Sequence, residues 1–134
     1  MTTQNFDEIK PQLISHLQFL GYEVTEKESN RLFARHSSKF NFIVKSFRGG
    51  LLLTSFVGCE DAAKSDRAGY LEFINAANSE ANLVRYFCDS DSDLVIEGWY
   101  CVGYDQVDFG RFMDSWDDDF DKLANRPETE TYLK

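Results

Sequence analysis

Asp89, Asp91 and Asp93 stand at alternate positions, the spacing with which the opening carboxylates of a calcium loop converge on a hard cation. Such a loop then needs glycine at its sixth position and glutamate at its twelfth, and those positions hold Leu94 and Tyr100. Strand-like sequence on both sides makes a solvated hairpin turn the first reading. The alternative is a small metal-dependent or phosphoryl-handling enzyme built on Asp89, Asp91 and Asp93, with Asp89 as a nucleophile at a strand end. That chemistry calls for a parallel α/β sheet, which the pattern below does not supply. His16 and His36 fall in separate elements, neither with a second His or Cys at metal-ligand spacing. His16 lies between Leu13 and Leu17 and reads as the flank of an apolar stripe. Cys59, Cys88 and Cys101 form no C-x-x-C and are odd in number, which fits ordinary thiols in a reducing compartment. G-x-S-x-G, P-loop and G-x-G-x-x-G motifs are absent, so no catalytic, cofactor or metal residue is assigned.

The elements that must position any site follow from periodicity. Ile9, Leu13, Leu17 and Leu20 predict an amphipathic helix ending at Gly21, and Pro11 places its regular start near Lys10 or kinks an earlier turn from Phe6. From Arg31 the period becomes two: strands are expected over 31–36, 39–47 and 51–57, with Gly49-Gly50 as a two-residue turn. Residues 58–65 read as a loop whose Ser65 caps a helix carrying Tyr70, Phe73, Ile74, Ala77 and Ala81. A hairpin over 83–88 and 94–102 follows. Phe109, Phe112, Met113, Trp116, Phe120 and Leu123 then define a helix over 105–124. The expected fold is α+β, with a mainly antiparallel sheet of about five strands, a three-strand meander plus a hairpin, and three helices in the order α-βββ-α-ββ-α. One domain is expected over 1–124, and 125–134, with Pro127 and few apolar residues, reads as a flexible tail.

The chain of 134 residues has formal net charge -9, with 23 acidic and 14 basic side chains. Residues 89–121 hold eleven acids against Arg111 alone, whereas 1–88 balance at ten of each. Phosphate repulsion therefore argues against nucleic acid as a partner. The start, Met1-Thr2-Thr3-Gln4-Asn5, lacks the basic flank and apolar run of a signal peptide, and no stretch approaches the roughly 20 apolar residues of a membrane span; a cytoplasmic protein without membrane partners is expected. On the last helix Asp114, Asp117, Asp118 and Asp121 recur at intervals of three and four opposite the aromatic stripe, with Asp119 nearer its margin. This is either a solvated helix face or a polyanionic surface that docks on a basic protein.

The sheet strands carry large apolar groups on both faces. With a turn at Gly49-Gly50, Phe47 opposes Leu52, Lys45 opposes Thr54 and Ile43 opposes Phe56, while Arg85 opposes Glu97 on the face that also holds Phe87, Val95 and Trp99. Helices covering one face would leave Ile43, Phe47, Leu52, Phe56, Phe87, Val95 and Trp99 as a candidate surface for a homodimer or a bound polypeptide.

The runs Phe42-Ile43-Val44-Lys45, Gly49 to Ser55, Ala63 to Arg67, and Leu71 to Asn75 with Asn78 resemble a family of short cyanobacterial and plastid-lineage proteins. That family is similar to the YbjN-type bacterial sensory transduction regulators and, more remotely, to the class I type III secretion chaperones. The resemblance extends through Asp91 to Leu94 and Phe112 to Phe120, covering about residues 5–124. It implies a secretion-chaperone-like α+β fold, commonly dimeric, that binds a polypeptide client or regulatory protein and carries no catalytic residues. Asn75 and Asn78 are expected to cap or bridge helix to sheet.

Overall fold

The computed structural model describes residues 5–28 and 30–134. Met1 to Gln4, on which the signal-peptide reading rests, and Ser29 lie outside the described residues. Two compact units are described in turn: Met1–Ser55 with Trp99–Phe112, and Phe56–Gly98 with Met113–Lys134. Among the described residues six strands take the order β1-β2-β3-β4-β6-β5 in an open antiparallel sheet, alongside five helices.

The first unit opens with α1 (Phe6–Phe19), whose Phe6, Ile9, Leu13 and Leu17 are buried at helical spacing. Asn5 caps it by accepting from the Asp7 amide at 3.0 Å, and Asp7 and Glu8 sit where the helix dipole favours negative charge. Pro11 lies inside the helix, so the earlier of its two expected starts is the observed one. At the other end the Tyr22 amide bonds to the Leu17 carbonyl and the Gly21 amide to that of Gln18, a Schellman motif that needs the positive φ of Gly21.

The strand β1 (Glu23–Glu28) was not expected. Its sequence EVTEKE has one aliphatic residue, because it ends the strand order, where charge guards an open edge. It pairs with β2 (Arg31–Arg35), which pairs with β3 (Phe42–Phe47), and β3 pairs with β4 (Gly50–Val57). The β3–β4 turn is Arg48-Gly49, not Gly49-Gly50: both turn residues have positive φ, 48° and 80°, as a type I′ turn requires. Phe47 therefore faces Gly50, Lys45 faces Leu52 and Ile43 faces Thr54. The slip moves partners by two positions and so leaves every side chain on the expected face. Leu32, Ala34, Phe42, Val44, Leu51 and Leu53 form the buried face. Gly50 stays in the strand because a Cβ there would collide with the Tyr100 carbonyl, 2.9 Å from its carbon and 3.0 Å from Cys101 Cα.

In the second unit the expected loop 58–65 holds a short helix, α2 (Asp61–Ser65), and Asp66 rather than Ser65 caps α3 (Arg67–Glu80), accepting from the Gly69 amide at 3.2 Å. The strands β5 (Arg85–Cys88) and β6 (Leu94–Tyr100) form the expected hairpin, with Arg85 opposite Glu97. Helix α4 (Gln106–Ala124) carries the aromatic stripe as predicted, with all six of its residues buried.

Within 125–134, expected as a flexible tail, the structure places a short helix. Helix α5 (Thr129–Tyr132) seats Tyr132 and Leu133 in buried positions. The Tyr132 hydroxyl donates to Asp66 Oδ2 at 2.9 Å, and its ring lies 5.6 Å from that of Phe73. The Glu60 amide donates to the Tyr132 carbonyl at 2.8 Å and the Lys134 amide to that of Gly58 at 2.9 Å. Two apolar side chains are too few for a periodic signal, yet enough to anchor six residues. Among the described residues no helix is long and apolar enough to cross a membrane.

Candidate functional site

The aspartate cluster is a turn held by its own carboxylates. Asp89 Oδ1 accepts from the amides of Asp91 at 2.9 Å and Asp93 at 3.1 Å, and Asp93 Oδ1 accepts from the Cys59 amide at 3.1 Å. Ser92 takes φ of 70°, with its carbonyl accepting from the Tyr70 hydroxyl at 2.7 Å and its own hydroxyl accepting from Arg67 at 2.8 Å. Short side chains that bond the backbone two and four residues on are what an Asx turn uses, so the alternate spacing has a conformational cause. The Asp89 and Asp93 oxygens that do this face amides, and among the described residues no group of three or more His, Cys, Asp or Glu side chains is placed to hold a metal ion.

The seven sheet residues separate by unit and by exposure. In the first unit Phe47 and Trp99 are brought together: the Trp99 indole N–H donates to the Phe47 carbonyl at 3.0 Å, and their rings meet edge to face at 6.2 Å. Phe47 is 36% and Trp99 44% exposed, so an oriented aromatic pair faces solvent. Ile43, on the same face of β3 as Phe47 but across from Phe33 and Thr54, is half-buried. Leu52 is only 8% exposed and does not offer contact area, a correction to its place in the candidate surface: the register sets it between neighbours. In the second unit Phe56 is the most open of the seven at 59%. Phe87 is exposed under the Arg85 guanidinium, 5.7 Å from its ring, and Arg85 Nε donates to Glu97 at 2.8 Å. Val95, opposite Phe87, is buried and leaves the surface as Leu52 does.

The acidic residues of α4 divide as well. Asp114, Asp118 and Asp121 are exposed and Asp117 is half-buried. Asp119, expected near the margin, is buried and accepts from the amides of Asn82 at 3.0 Å, Leu83 at 2.8 Å and Val84 at 3.0 Å. The carboxylate thus ties the α3–β5 connection to α4, with Lys122 Nζ at 3.7 Å. The signal lay in the spacing: position 119 is three after Trp116 and four before Leu123, on the apolar stripe. Burial first, and the Asp119 charge second, raise the Tyr86 phenol above its usual range, which keeps it a donor to the Asp119 carbonyl.

His16 takes part in a groove of about 730 Å³ in the first unit, lined by Pro11, Gln12, Ser15, Phe19, Tyr104 and Asp105 among others. Its Nδ1 lies 2.9 Å from the Tyr104 hydroxyl and its ring packs 5.3 Å from Phe109. Burial pushes its pKa down, so the neutral ring is the favoured form. These contacts make the imidazole a packed, hydrogen-bonded part of the α1 flank.

A charge pattern that the sequence reading passed over becomes visible on β2, β3 and β4. Residues 31–55 contain Arg31, Arg35, Lys39, Lys45 and Arg48 and no acid, although the larger stretch 1–88 is neutral. Register puts Arg31, Phe33 and Arg35 on the same face as Ile43, Lys45 and Phe47. Averaging the charge over 88 residues hid this block.

These features define an α+β protein with an open six-stranded antiparallel sheet, an exposed aromatic outer face and its acidic side chains largely committed or solvated. The crystal structure of YbjN, a proposed transcription regulator from E. coli, is similar over 100% of this chain and 98% of that chain, with a TM-score of 0.72 at 15% identity. The likeness establishes a YbjN-like fold. No family model and no curated protein matches the chain.

Proposed function

We propose that this chain is a non-enzymatic, cytoplasmic protein-binding module, regulatory or chaperone-like, that works as a homodimer or on a polypeptide client through the outer face of its sheet. The observation that carries the reading is the Phe47–Trp99 pair, held by a hydrogen bond yet exposed. An aromatic pair fixed in this way loses little side-chain entropy on binding and desolvates a large apolar area, as binding hot spots do. The fold shared with a proposed regulator supports the same direction. The chaperone element comes from the secretion-chaperone resemblance of the sequence and from the open apolar face.

Light scattering combined with an aggregation assay tests this. The wild-type chain should measure as a dimer or should keep a heat-unfolded model enzyme in solution, and Phe47→Ala Trp99→Ala should lose that property while remaining folded. A monomer without holding activity, indistinguishable from the double variant, would remove the proposal.

A further inference from the structure

The outer face of the first unit is not merely apolar. Three cations sit over two of its rings: Lys27 Nζ lies 5.7 Å and Arg35 Cζ 5.1 Å from the Phe33 ring centre, and Arg48 Cζ lies 5.3 Å from that of Phe47. Arg31 stands across from Lys45 in the next strand. The acids in register with this group are Glu23, opposite Arg35, and Glu28, opposite Arg31; Lys45 faces Leu52 across β4. Among the described residues the face thus sets five cations against Glu23 and Glu28, a local excess of positive charge interleaved with Phe33, Ile43, Phe47 and Trp99 in a chain whose total charge is -9. Against so acidic a background, this local positive field selects partners of opposite sign.

We infer that this face binds an acidic polypeptide segment whose carboxylates alternate with apolar or aromatic side chains. The inference rests on the protein-binding reading above and adds the chemistry of the partner. The alternation matches the face: rings accept apolar groups while the guanidinium groups of Arg31, Arg35 and Arg48 accept carboxylates, as planar forks do. Polypeptide is favoured over single-stranded nucleic acid on charge density: a phosphate chain carries an anion at every unit and is repelled by the net charge of -9, whereas a segment that alternates carboxylates with apolar groups carries about half that density and gains apolar contact at the exposed edges of Phe47 and Trp99.

Fluorescence anisotropy on the full chain decides it, with four labelled probes: a ten-residue peptide alternating Glu with Leu and Phe, the same peptide with Gln for Glu, the same with Lys for Glu, and a 20-nucleotide oligouridine. The acidic peptide should bind at least about tenfold more tightly than the Gln peptide and weaken as salt is raised, since screening acts on exposed pairs. Arg31→Gln Lys45→Gln should abolish that preference, whereas Lys64→Gln, a cation on α2, should leave it. The melting curve of each variant shows that it is folded. Equal binding of the acidic and Gln peptides would overturn the inference and leave the protein-binding reading standing. Tighter binding of oligouridine would overturn it in favour of nucleic acid. Self-association lost in Arg31→Gln Lys45→Gln, with no peptide competing, would overturn it in favour of a second copy. Absence of any peptide binding would overturn it too, and the aggregation assay then judges the underlying reading separately.

Discussion

The side-chain amide of Asn78 spans the backbone of Tyr86: the Tyr86 amide donates to Asn78 Oδ1 at 2.8 Å, and Asn78 Nδ2 donates to the Tyr86 carbonyl at 2.9 Å. A helix residue here does what a neighbouring strand would do, at β5, the last strand of the order. Asn78→Ala leaves two backbone groups without partners and is expected to cost about 1–3 kcal/mol, read as a lower urea midpoint at unchanged slope. Asn78→Asp keeps the acceptor and loses the donor, so it should fall between wild type and alanine. Equal midpoints for all three would remove the bridging role.

Asp119 makes three bonds from one carboxylate to consecutive amides. Charge-assisted bonds of this kind contribute more than neutral ones, and the alanine variant would also strand buried donors. Asp119→Ala should destabilise by about 3–5 kcal/mol, and Asp119→Asn by less because one oxygen remains. Its neighbour Asp118 is exposed, and Asp118→Ala should stay within about 0.5 kcal/mol of wild type. Denaturant midpoints of the three variants check the ordering. If Asp118 and Asp119 prove interchangeable, the buried position is wrong.

The strongly periodic parts of this fold were legible in the sequence. The stripe from Phe109 to Leu123 is buried as predicted, because six large apolar residues at helical spacing leave one way to bury them. Face assignment in β3 and β4 survived a wrong turn because the error was two residues, a full strand period. What stayed hidden were elements whose support is tertiary. The strand β1 has one half-buried aliphatic residue, Val24, and α5 has four residues, so neither writes a period. The candidate surface was half legible for a related reason: alternation says which side a residue takes and not what covers it, so Phe47, Phe56, Phe87 and Trp99 are open while Leu52 and Val95 are buried. Asn78, expected together with Asn75 to cap or bridge helix to sheet, bridges to the Tyr86 backbone.

The docked C-terminus makes a prediction that a flexible tail would not. Tyr132 packs its ring 5.5 Å from Tyr70 and 5.6 Å from Phe73, and its hydroxyl bonds Asp66, the capping residue of α3. Tyr132→Ala should therefore lower stability by about 3–5 kcal/mol, as large-to-small aromatic changes in packed sites do. Tyr132→Phe, which removes only the hydroxyl, should cost about 1 kcal/mol. Thermal unfolding followed by near-ultraviolet dichroism measures both. Protease digestion gives an independent reading: the wild-type chain should resist carboxypeptidase at Leu133, and the alanine variant should be trimmed.

His16 gives the fold a dependence on acidity whose sign is fixed by its surroundings. Burial lowers its pKa below the ordinary 6.5, so the folded state holds the neutral ring while the unfolded chain protonates near 6.5. The His16 contribution is complete above that value and is lost as the pH falls through 6.5 towards the lower folded pKa, because the unfolded chain then binds the extra proton. The groups against the ring are the Tyr104 hydroxyl, the Phe109 ring and Gly110, with Asp105 lining the same groove. Melting temperature should thus decline between about pH 7 and about pH 5.5, above the range in which ordinary carboxylates titrate. His16→Gln, which keeps a polar group beside Tyr104 but does not titrate, should flatten that decline. An unchanged slope in the variant would place the dependence elsewhere, and a slope of opposite sign would mean that the ring is charged in the folded protein.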